Sequence, residues 1–295
     1  MKISEYDAFG PWIYEVNEDH PLPPLFVPFY KEDGNCLMRI KIPRNIERIN
    51  ANPGMDLYDC VIGLYQDHIY ILKRKDKLVE ESSARYSEII GIEALYQLLA
   101  GTLTLYLSDG KITIPFNVVS NNVIMKLIGI IRSRYSEKTY EDSNHYCFDG
   151  NPSVETLFRN LLNTMKSEED LRICAVQRSI SLKLNNGSYI DRLWHFFAGR
   201  KLLNTLHLSN SRELIILTRG RNFREGRGPN YDYAITYLPF EKLRGVFIEN
   251  NERYSGLVEL QLKMSGQDFK FYFEQTNKES IHFYHELGCC GSLLH

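Results

Sequence analysis

The chain has 295 residues, enough for two domains of ordinary size that each bury a core. A composition of 43% hydrophobic and 24% charged residues excludes global disorder. A net charge of −2 excludes a surface built throughout for nucleic acid or acidic membrane, although a local basic patch remains open.

Residues 1–34 form the first segment. No apolar core follows Lys2, so a secretory leader is not expected, and the most apolar helical stretch, Val123 to Ile131, is too short to span a bilayer. In "PLPPLFVPFY", Pro21, Pro23, Pro24 and Pro28 predict extended backbone. The interleaved Leu22, Leu25, Phe26, Val27 and Phe29 predict an arm lying on the first domain, with Trp12 as a contact residue. Pro21-x-x-Pro24 as a ligand for a proline-reading module is the other reading.

A first unit follows over 35–135. In "TLTLYLSDGKITIPF", Leu103, Leu105 and Leu107 alternate with Thr104, Tyr106 and Ser108, and Ile112, Ile114 and Phe116 rejoin the apolar face after Asp109-Gly110. A period of two is the strand period, and Asp-Gly favours the positive φ angles of a tight hairpin. Val123, Ile124, Leu127, Ile128 and Ile131 then recur at helical spacing. Residues 136–170 read as a polar linker with a helix, "PSVETLFRNLLNTMK", whose Leu157, Phe158, Leu161, Leu162 and Met165 share one side.

The pattern returns over 171–288. Val258, Leu260, Leu262 and Met264 lead through Ser265-Gly266 to Phe269, Phe271 and Phe273. A capping box at Thr276 and Glu279 opens a helix carrying Ile281, Tyr284 and Leu287, with Gly288 placed to end it. Upstream, "YSEIIGIE" matches "FEKLRGVF", "LYQDHIYILKR" matches "LSNSRELIILTR", and "LMRIKIPRNI" matches "LRICAVQRSI". Four blocks in one order point to duplication of a unit of roughly 100 residues. The second copy adds "YIDRLWHFFAGRKL", in which Trp194 and Phe197 are candidate partner contacts and His195 reads as a packed or capping residue. Residues 289–295 form a tail.

These blocks, above all "YSEIIGIE…GTLTLYLSDGKITIPF…VIMKLIGII" and its second copy, resemble the pleckstrin-homology-like domains, in particular the bacterial PH-like and GRAM-like group. The resemblance implies a mainly β, α+β fold: two PH-like β-barrel or sandwich domains, each of two nearly orthogonal sheets closed by a C-terminal helix. Neither terminal helix carries the Trp typical of eukaryotic PH domains. Arg39, Lys41 and Arg44 fall short of the family's phosphoinositide cluster, so phosphoinositide binding is not implied.

The most distinctive local stretch is "TRGRNFREGRGPNYDY". Arg219, Arg221, Arg224 and Arg227, with Gly220, Gly226 and Gly228, are candidates for an anion site, and Phe223, Tyr231 and Tyr233 for stacking on bases. It predicts a long hairpin loop, matched in the first copy by a loop with Lys73, Arg74, Lys75 and Lys77. A plain solvated loop is the alternative. Glu279, His282 and Glu286, with His285, read as a solvated helix face rather than a metal site.

The six cysteines form no CxxC pair, which predicts free thiols and a cytoplasmic setting. No nucleophile or cofactor motif is present, and no metal or cofactor is expected. The expectation is a non-catalytic protein binding a protein partner. An anion-binding module for nucleic acid or acidic lipid comes second, and an enzyme with an interdomain pocket third. Self-association stays open.

Overall fold

The structure, a computed structural model, describes residues 5–30, 35–136, 154–167, 169–185, 200–220, 223–224 and 231–291. Trp194, His195, Phe197, Arg221 and Arg227 lie outside the described residues. The chain is mainly β, with several antiparallel sheets and a C-terminal helix. Strand order in each sheet is linear, so the expected barrel closure is not seen.

Two compact units divide the chain differently from the expected 35–135 and 171–288. The first comprises Met1–Ile89, Leu99–Leu103 and Thr113–Glu137, and the second Ile90–Leu98, Thr104–Ile112 and Lys138–His295.

In the first unit β1 (Tyr14–Glu15), β2 (Met38–Pro43), β3 (Tyr58–Leu64), β4 (His68–Lys75) and β5 (Leu78–Arg85) form an antiparallel sheet in chain order. Asp76 takes the left-handed conformation, φ 58°, in the two-residue turn joining β4 to β5. Lys73, Arg74 and Lys75 therefore belong to a strand and not to the predicted loop.

The N-terminal segment packs on this sheet. It begins with α1 (Glu5–Ala8), and Phe9 and Phe26 cluster with Leu57, Tyr58, Val61 and Leu72. The proline run is extended at Pro23 but not beyond it. Pro24–Phe29 is a 3-10 helix with Pro28 inside it, since proline's fixed φ suits that helix equally well. Beneath the arm, Lys41 is fully buried. Its Nζ donates to Glu5 Oε1 at 2.5 Å and to the Pro21 carbonyl at 2.8 Å, and lies 4.5 Å from the Tyr58 ring centroid. α2 (Asn121–Arg132) buries Ile124, Leu127, Ile128 and Ile131, and packs on β3.

The second unit takes all but the first residue of β6 (Ile89–Gln97), and of β7 (Ala100–Leu107) and β8 (Gly110–Asn117) the halves beside their turn. That turn is Ser108-Asp109, and neither Asp109 nor Gly110 has positive φ. β6 pairs with β15 (Tyr233–Pro239), Ile92 opposite Tyr237 and Tyr96 opposite Tyr233. Beyond β15 come β13 (Glu213–Thr218), β12 (Thr205–Ser209) and β9 (Arg172–Gln177), in the order β8-β7-β6-β15-β13-β12-β9.

A second sheet contains β16 (Leu243–Asn250), β17 (Leu257–Met264) and β18 (Asp268–Glu274), of which β17 and β18 keep the predicted alternation. Leu260, Leu262, Phe269, Phe271 and Phe273 join Ile90, Leu214, Ile216 and Leu238 in one core. Gly266, at φ +112°, makes the β17–β18 turn, and a Cβ there would lie 2.1 Å from the Ser108 carbonyl oxygen.

The last helix, here α4 (Lys278–Gly291), covers this core with Phe283, Tyr284 and Leu287, while Ile281 is only partly buried. Its cap is Asn277, whose Oδ1 accepts from Ser280 N at 3.4 Å, one residue later than predicted. It runs past Gly288. The predicted linker helix is α3 (Thr156–Lys166), with Phe158 and Leu162 buried.

Candidate functional site

The site that geometry brings together lies in the second unit. Three short strands make a small sheet: β10 (Ile180–Ser181), β11 (Lys201–Leu202) and β14 (Phe223–Arg224). Leu202 stands opposite both Ile180 and Phe223, and Lys201 opposite Arg224. Leu182, Leu202, Tyr254 and Leu257 form a small core, against which Phe223 and Tyr272 pack. The sheet is too short to hold itself together by its ladder. This cluster anchors it.

The 251–256 connection between β16 and β17 supplies the other wall. Asn251 Oδ1 accepts from Arg253 N at 3.1 Å and Tyr254 N at 2.9 Å, which folds the chain into a tight turn. Asn185 fastens the turn from outside, its Nδ2 donating to the carbonyls of Asn251 at 3.0 Å and Glu252 at 3.1 Å. Ser255 N donates to the Lys183 carbonyl at 2.8 Å.

Between these walls lies a cavity of about 280 Å³, lined by Arg200, Phe223, Arg224, Asn251, Arg253, Tyr254 and Tyr272. Among the described residues, three of the seven that line it are arginines and none is a carboxylate. Its rings form a cluster: Phe223 lies 4.4 Å from Tyr272 and 5.4 Å from Tyr254, and the Arg253 guanidinium is 5.4 Å from the Tyr254 ring centre. Burial, and then the nearby Glu259 carboxylate, raise the Tyr272 phenol above its ordinary pKa, so the ring stays neutral in use. The Asn251 amide oxygen is occupied by the turn, while its Nδ2 has no partner among the described residues. Such a cavity can hold an anion against guanidinium groups and a flat apolar group against rings.

Of the arginines singled out in the sequence, Arg224 lines this cavity and Arg219 does not. Arg219 Nε donates to Glu155 Oε1 at 2.7 Å, while Asn204 Nδ2 donates to Glu155 Oε2 at 2.6 Å. Burial alone would raise the Glu155 pKa, but the bonds from Arg219 and Asn204 outweigh it and hold the carboxyl below its ordinary value. Arg219 is thus a tie to the α3 entry. In the first unit Lys73 Nζ donates to the Thr113 carbonyl at 2.8 Å, and Arg74 pairs with Asp59 at 2.6 Å. Lys75 is exposed at the end of β4. Lys73 and Arg74 are thus engaged within their own unit, while Lys75 and Lys77 stay exposed.

Tyr233 stacks on Tyr96 at 4.5 Å, and Tyr231 is exposed. Trp12 is 44% exposed. Glu279, His282 and His285 lie on the exposed side of α4, and among the described residues no three His, Cys, Asp or Glu side chains group to hold a metal ion. Among the described residues Cys36, Cys60, Cys174 and Cys289 form no disulfide, and burial pushes the Cys60 thiol up to about 12.

Arg200, Asn251, Arg253, Tyr254 and Tyr272 were not legible as site residues. The available signal was Tyr272, an aromatic at a polar position of the β18 alternation, between Lys270 and Glu274.

The sequence matches no protein-family model and no curated protein. No helix among the described residues is long and apolar enough to cross a membrane.

Proposed function

We propose that this is a non-catalytic binding protein built from two PH-like copies, and that its ligand is an anion held in the arginine-lined cavity of the second unit. The tandem reading is supported by element order. β2–β5, a 3-10 turn at Tyr86–Glu88, β6–β8 and α2 are followed by β9, β12, β13, β15, a 3-10 turn at Phe240–Lys242, β16–β18 and α4. Four main strands, a turn, three strands and a helix occur twice, with the added β10, β11 and β14 only in the second copy. A fold of this kind hosts many functions, so the ligand class is argued from the site.

The observation that carries the anion reading is the convergence of Arg200, Arg224 and Arg253 on one cavity. Guanidinium forks bind phosphate and carboxylate oxygens in pairs, and a recessed site is screened less by salt than an exposed one. The test is calorimetric titration of the full chain with inorganic pyrophosphate at low and moderate salt. Binding is expected, weaker in salt, and lost in Arg224→Ala and Arg253→Ala. Arg219→Ala, which removes the tie to Glu155, leaves affinity unchanged. Pyrophosphate that fails to bind, or binds equally to the Arg253→Ala protein, overturns the reading.

A second reading, a protein partner on the first unit, is favoured by exposed apolar side chains there. Trp12, Leu99 (67% exposed) and Val119 (46%) are held to one region by two bonds. Ile13 N donates to Ser120 Oγ at 2.9 Å, and Val118 N donates to the Leu99 carbonyl at 2.9 Å.

A further inference from the structure

We infer that the second-unit cavity takes a nucleoside phosphate, reading a flat ring as well as the anion beside it. The inference rests on the anion-binding reading and adds to it the chemistry of the apolar half of the wall.

Three observations carry it. First, the rings and the guanidinium groups share one cavity instead of lying on separate surfaces: Phe223 and Arg224 are adjacent on β14, and Arg253 and Tyr254 are adjacent in the turn. A ligand that is all charge, such as free phosphate or an inositol phosphate, would engage only the guanidinium half of this wall. Phe223 and Tyr272, packed on the small core, keep part of their surface exposed. Second, the Asn251 Nδ2 donor is held in the cavity wall by a turn that consumes the oxygen of the same amide. This leaves the cavity a donor for a ring carbonyl or ring nitrogen. Third, the volume of about 280 Å³ lies near the lower end of small-molecule sites, roughly 300–1,000 Å³. That space suits one nucleotide unit. Stacking on an aromatic side chain tolerates any base, while arginine contributes both a phosphate fork and a cation–π face.

The ring half of the site is maintained by packing. Tyr272 is set by β18, where it stands opposite Glu259 of β17, and Phe223 is set by its place opposite Leu202. The ring positions therefore do not depend on the ligand being present.

The test compares AMP and UMP with ribose 5-phosphate, inositol 1,4,5-trisphosphate and a short single-stranded oligonucleotide, each titrated into the full chain. Tyr272→Leu keeps an apolar side chain against Phe223, and a thermal melt checks that it folds. The nucleotides are expected to bind roughly tenfold or more tightly than ribose 5-phosphate, the scale of one base stack. Tyr272→Leu should remove that difference. An oligonucleotide no tighter than the monomer identifies a free nucleotide as the source, and a tighter, steeply salt-dependent one identifies an unpaired strand. If ribose 5-phosphate or the inositol phosphate binds as well as the nucleotides, and Tyr272→Leu alters none of them, the nucleoside inference fails while the anion reading stands. If none of the five binds, both fail. Should Tyr272→Leu not fold, Phe223→Leu provides the same comparison.

Discussion

His207 sits on β12 among rings, with Phe271 and Phe273 at 5.2 Å and Tyr284 at 5.7 Å. Its Nδ1 and the Tyr284 hydroxyl share a hydrogen bond of 2.5 Å, and its Nε2 is buried without a partner among the described residues. Complete burial lowers its pKa from 6.5 to about 3. The folded-state value is the depressed one, so the unfolded chain binds this proton first as pH falls. Stability is therefore intact above about pH 6.5 and is lost progressively toward pH 3, by several kcal/mol from this group. Urea midpoints measured across that range should fall with pH. Replacing both partners, His207→Phe with Tyr284→Phe, should flatten the dependence, because no buried polar group is left behind. An unaltered acid slope in the double variant would assign the loss to other groups. None of this was legible in "LLNTLHLSN", where His207 is one member of an alternating strand. Its ring neighbours come from β18 and α4, and no local pattern announces a distant contact.

Among the elements, those defined by period were legible and those defined by tertiary fit were not. The β17–β18 hairpin, α2 and α3 form where apolar spacing puts them, since one side of each has a core to cover. The arm was legible from its apolar residues, but its backbone was not: proline fixes φ, and the pocket that receives Phe26 selects ψ. The buried Lys41 was equally hidden. In the sequence it stands out only as one of the three basic residues Arg39, Lys41 and Arg44, and only the return of Glu5 and Pro21 over β2 makes its burial tolerable. This clamp gives the protein-partner reading a defined surface, for it fixes the segment that presents Trp12. Cross-linking in extract should yield a discrete adduct with the native chain and none with Trp12→Ser. The melting temperature should move little, as Trp12 is half exposed. Adducts that survive the substitution would remove this surface from consideration.

At the scale of the whole molecule, the duplicated pattern read from sequence does not coincide with the compact units. The strand β6 reads as part of the first copy, yet its partner along one edge is β15 of the second. Alternation reports which side of a strand is buried and is silent on which neighbour completes its edge, so this pairing could not be read from residues. The cavity shows the same limit, because Arg200, Phe223, Tyr254 and Tyr272 come from four separate stretches. A polypeptide of residues 171–288 alone, the expected second domain, lacks Ile90–Leu98 and Thr104–Ile112 of its own unit. It should be insoluble or molten, with weak dispersion in amide NMR spectra, whereas the full chain should give a dispersed one. A well-dispersed spectrum from 171–288 would refute this. During synthesis the consequence is one of timing. Tyr96 leaves the ribosome long before Tyr233 is made, so a nascent chain carries an open hydrogen-bonding rim for most of its translation. Such a rim invites chaperone holding, and slowed elongation should raise misfolded yield more than any single core substitution.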